Sequence, residues 1–119
     1  MTNKPLTADE FIKRKLEEVQ AGKEVANLNS VENGKVHAKV EARTFLKKGG
    51  STSEVFVYER LCGKWAGRDE LIAYRIGYYT QINGKWMRPN ANALFGEGEV
   101  EKLLKKACDE GTVKESKRK

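Results

Sequence analysis

Apolar residues recur at two periods along the chain, and the change of period divides it into a helix, a run of strands and a second helix. Phe11, Ile12, Leu16 and Val19 mark one helical stripe. It is opened by Leu6-Thr7-Ala8-Asp9-Glu10-Phe11, in which Thr7 is placed to cap, Glu10 to complete a capping box, and Leu6 with Phe11 to form a hydrophobic staple. With Gly22 as the stop, this predicts a helix over residues 8–21.

From residue 23 the period falls to two. KEVANLNSVENG, residues 23–34, ends in Asn33-Gly34, a two-residue hairpin signal, and predicts a short strand over 26–32. Residues 35–47 alternate, with Val36, Ala38, Val40, Ala42 and Leu46 assigned inward and His37, Lys39, Glu41, Arg43, Phe45 and Lys47 outward. After the flexible connection KKGGSTS, residues 54–62 set Val55, Val57 and Leu61 against Phe56, Tyr58, Arg60 and Cys62. Residues 70–88, ELIAYRIGYYTQINGKWMR, read as a long strand, an Asn83-Gly84 turn and a returning strand. Ile72, Tyr74, Ile76, Tyr78 and Ile82 are expected on the core face, with Leu71, Ala73, Arg75, Gly77, Tyr79 and Gln81 opposite. Trp65, in the loop GKWAGRD, is expected to fold back over a core edge, and Pro89-Asn90-Ala91-Asn92 to end the sheet.

Val100, Leu103, Leu104, Ala107 and Cys108 then restore the helical period, from Gly96 or Gly98 to about Glu110, with Gly111 as the stop. The expected architecture is α+β: an N-terminal helix, a four- or five-stranded antiparallel meander and a C-terminal helix. Both helices are expected on one face of a curved sheet. Residues 1–111 form a single domain in this reading, and 112–119 a disordered basic tail.

Charge changes the picture more than composition does. The net charge is +6. Residues 35–88 hold eleven Lys/Arg against five Asp/Glu, whereas residues 1–34 hold five against six. A positive sheet on a near-neutral scaffold points to a polyanionic partner. On the expected outward face, Lys39, Arg43, Lys47, Arg60, Arg75 and Arg88 are interleaved with Tyr58, Tyr79 and Trp86. Cations neutralise phosphates, and each base stacked on a ring contributes about 1–3 kcal/mol. Gly77 would let a ring or base lie flat. The expected function is therefore binding of single-stranded or structured RNA or DNA with little sequence specificity.

The competing reading is a small-ligand or protein-binding roll of cystatin-like layout, an interaction module with a homodimer through the sheet face as one form of it. Tyr74, Tyr78 and Met87 would line its pocket. Glu59 shares parity with Val57 and Leu61, and a lone inward carboxylate belongs near a sheet edge or paired with Lys or Arg. An enzyme is the least favoured class. The one histidine, His37, sits among lysines, no nucleophile and base are placed together, Asp69-Glu70 adjoin a turn, and GEGEVEK lacks phosphate-loop spacing. Two cysteines, Cys62 and Cys108, are too few for a zinc site and are expected as buried thiols; no metal or cofactor is expected. With no membrane-length apolar run and no apolar signal region at the start, no membrane partner is expected and the expected location is the cytoplasm.

Overall fold

The computed structural model describes residues 4–22, 25–30, 34–49, 51–63, 71–89 and 93–114. Asn33 of the first turn, Trp65, Asp69, Glu70, residues 90–92 and residues 115–119 of the expected tail 112–119 lie outside the described residues, while Thr112 of that tail is buried. The elements are α1 (Ala8–Gln20), β1 (Val25–Ser30), β2 (Gly34–Lys47), β3 (Glu54–Gly63), β4 (Leu71–Ile82), β5 (Lys85–Met87) and α2 (Glu99–Asp109). The strands form one antiparallel meander in chain order. The α+β layout of helix, meander and helix is thus the one the periodicity predicts.

Local signals account for the element ends. The Thr7 hydroxyl accepts from the Glu10 N–H at 3.2 Å and the Glu10 carboxylate accepts from the Thr7 N–H at 3.0 Å, completing the capping box. Asn83 and Gly84 take φ of 52° and 78°, the paired positive values of a type I′ turn. Helix α2 opens without a side-chain cap at Gly98, and Glu99 instead accepts from the N–H groups of Gly96 and Gly49. That bond ties the start of α2 to the β2–β3 connection.

The register assigns faces differently from the alternation alone. Val40 pairs with Leu61 but Ala42 with Arg60, so β2 carries one extra residue at Glu41. Past that bulge the parity of β2 is inverted. Ala38 and Val40 before it therefore share a face with Arg43 and Phe45 after it. On β4, Tyr79 pairs with Val55 and Arg75 with Glu59, while Tyr78 pairs with Phe56 and Ile72 with Cys62. The row expected to be outward on β4 is the one that faces the Val55, Val57 and Leu61 core.

Each face receives one helix, which corrects the expectation that both would share one. Phe11 of α1 packs against Phe45, Val55, Val57 and Tyr79, and Val19 against Ala38, Val40 and Leu61. The residues bracketing α2 make contacts of opposite parity: Phe95 stacks on Phe56 with centroids 4.1 Å apart, and the Thr44 hydroxyl donates to that of Thr112 at 2.7 Å. Helix α2 itself buries Leu103 and Ala107.

Coverage is limited by length. A 13-residue helix spans about 20 Å and an 11-residue helix about 17 Å. The 14 residues of β2 and 12 of β4 extend about 46 and 40 Å. Neither helix can shield its whole face.

Candidate functional site

Two features stand out: an ionic cluster on the α1 face and an apolar row on the α2 face. At the centre of the first is Glu59, none of whose side chain is exposed. Its Oε2 accepts from Arg43 Nε at 2.7 Å. Its Oε1 accepts from Arg75 Nε at 2.9 Å and from Arg88 Nη2 at 2.6 Å. Burial is the largest influence on the Glu59 carboxyl and pushes its pKa up; Arg88, Arg75 and Arg43 together outweigh it and hold the group below the ordinary carboxylate range. Arg88 reaches this position by lying over the Tyr79 ring, 4.7 Å from its centroid, and by donating to the Tyr79 hydroxyl at 3.0 Å. It crosses β4 at Gly77, where a Cβ would stand 2.6 Å from Arg88 Nη1. The flat site expected to receive a ring or base is filled by the protein's own guanidinium.

The residues predicted to bind nucleic acid therefore do not form one open surface. Arg43 and Tyr79 are buried, Trp86 stacks on Phe11 at 4.7 Å and donates its indole N–H to the Leu6 carbonyl at 2.8 Å, and Arg75 and Arg88 converge on Glu59. Lys47, on the same face, bridges to Asp9 at 3.1 Å with 54% of its side chain exposed. Tyr58 and Arg60 lie on the opposite face: Tyr58 packs edge-on to Tyr74, and Arg60 bonds Glu41 and the carbonyls of Gly111 and Thr112. Lys39 is exposed and pairs with Cys62, ahead of the bulge. The physical cause of the dispersal is the parity inversion at Glu41 together with α1 covering the rings.

The second feature occupies the row expected to be core. Ile72, Tyr74, Ile76, Ile82 and Met87 are 39–47% exposed, all on the α2 face of β4 and β5. Val100 and Leu104 of α2 are also exposed. Burial, reinforced by Tyr74 and Cys108, pushes the Tyr58 phenol above its ordinary range. Val100, Leu104 and Cys108 recur at four-residue spacing along one side of α2. Cys108 is exposed and Cys62 half-buried, so neither is the buried thiol expected.

Of the residues expected to line a pocket, Tyr74 and Met87 are exposed on the sheet surface. Tyr78 instead borders a small cavity of about 100 Å³ with Phe56 and Leu94. A wider recess of about 650 Å³ opens at the start of α1 between Leu6, Asp9, Lys47, Gly49 and Thr52. Among the described residues no helix is long and apolar enough to cross a membrane, and no three His, Cys, Asp or Glu side chains gather as metal ligands.

The fold and these two features define an α+β domain with an ionic cluster on one sheet face and an exposed apolar row on the other. The sequence matches no family model, and no curated protein or solved structure is significantly similar to it.

Proposed function

We propose that the chain is a protein-interaction domain that assembles with a second copy of itself through β4. The observation that carries this reading is the half-exposed apolar row beside an open strand edge. Only Thr80, Gln81 and Ile82 of β4 pair outward, with β5; among the described residues, 71–79 have no strand on that side. Long apolar edges are uncommon without protection, because their unpaired N–H and C=O groups template further pairing. Positions 72 to 82 on this face carry no charge, so the apolar row itself brings no ion into the contact although each copy is +6 overall. The row is also self-complementary. An antiparallel register that sets Tyr74 opposite its counterpart brings Ile72 opposite Ile76 on the same face. Completing the burial of a half-exposed Ile contributes about 1 kcal/mol each. Sedimentation velocity over a wide concentration range tests the reading: a monomer–dimer transition is expected, and a monomer throughout overturns it.

The charge supports a second reading, nucleic-acid binding with little base specificity. It rests on solvated lysines such as Lys39 and Lys47 and no longer on stacking rings. Titration of labelled single-stranded oligonucleotides at several salt concentrations would show affinity falling steeply with salt. Absent or salt-insensitive binding rejects it.

A further inference from the structure

We infer that Arg75 and Arg88 form a receptor for a phosphate-type dianion on the α1 face, the side of the sheet opposite the apolar β4 row. Arg75 and Arg88 share a single oxygen of Glu59, whose other oxygen is taken by Arg43. Two guanidinium groups thus draw on one oxygen of a buried carboxylate, and a positive excess is held where water is scarce and attraction to an anion is correspondingly strong.

Donor capacity points the same way. Arg75 bonds Glu59 through Nε, and its two amino groups make no hydrogen bond or ion pair among the described residues. Arg88 spends Nη2 on Glu59 and Tyr79 and leaves Nη1 and Nε without one. Each side chain is about a quarter exposed, 26% and 28%, while the Glu59 anchor stays dry. Lys15, whose ammonium lies 5.5 Å from the Tyr79 ring centroid, is offset by Glu18 at 3.3 Å.

The site is also preorganised. Gly77 gives Arg88 its slot, the Tyr79 ring supports it from below, and the Glu59 carboxylate fixes the forks of both arginines. A carboxylate offers two oxygens and one charge. A phosphate group offers three acceptor oxygens and nearly two charges at neutral pH, and so answers two forks and the excess charge together. The ligand class is inorganic phosphate or the terminal phosphate of a monoester, and the assay separates these sources.

The test is chemical-shift titration of the arginine Nε–H resonances, with thermal unfolding alongside, using inorganic phosphate, an alkyl phosphate monoester, and acetate at equal ionic strength. Phosphate is expected to shift the Arg75 and Arg88 resonances and raise the unfolding midpoint, with acetate doing neither. Tighter binding of the monoester assigns the site to a phosphorylated ligand, and equal binding to the free ion. Arg75→Gln is expected to weaken phosphate at least tenfold. Equal responses to acetate, or undiminished phosphate binding by the folded Arg75→Gln protein, overturn the inference. Should that variant not fold, unmoved Arg75 and Arg88 resonances in the unaltered protein overturn it equally.

Discussion

At the scale of single residues, Glu59 and its three arginines carry the largest stake. A carboxylate with no exposure is tolerable only because Arg43, Arg75 and Arg88 donate to it, and they in turn depend on it as their shared counter-ion. Glu59→Gln removes the charge and keeps the shape, leaving three guanidiniums to repel one another. A loss of about 3–5 kcal/mol at neutral pH is expected, read from urea midpoints. The pH dependence has a definite sign. Because the folded pKa is lowered from 4.5, the stabilisation is fully present above that value and fades as pH falls through the folded one. The gap between the two proteins should therefore shrink in acid; a gap constant with pH contradicts the assignment. The inward parity of Glu59 and its need for a cationic partner were legible in the sequence. That three arginines would supply it was not, since they come from β2, β4 and the residue after β5.

At the scale of elements, α1 is held by its start and by the rings it covers. The reciprocal Thr7 and Glu10 bonds satisfy two N–H groups that would otherwise face water. Thr7→Ala is expected to cost about 1 kcal/mol in chemical denaturation without altering self-association, because the cap lies on the face opposite the β4 row. A change in association would place α1 in the interface. Caps, the Asn83-Gly84 turn and the stops at Gly22 and Gly111 were all predictable, being decided by residues a few positions apart. The bulge at Glu41 has no such local signature. Its alternation is perfect on paper, and only pairing with β3 reveals that one residue is extra.

At the scale of the whole molecule, short helices on long strands leave apolar surface uncovered, and the β4 row is where that surface gathers. Ile76→Lys would put a charge beside the centre of a self-paired edge twice over, and is expected to shift the protein to monomer in sedimentation while leaving the unfolding midpoint of the dilute monomer nearly unchanged, since Ile76 is already 47% exposed. A large stability loss in the isolated monomer would mean that the row is core, as periodicity suggested.

The amino-acid sequence by itself determined the kinds of element, their order, most of their ends and the sheet's positive charge, because each follows from propensity, turn chemistry or composition within a few residues. Which side of the sheet each row faces was decided only in the folded protein. Both faces of β3 and β4 carry apolar residues, so alternation is satisfied by either assignment. The choice falls to the register across β2 and β3 and to the face on which Phe11 finds Phe45 and Tyr79.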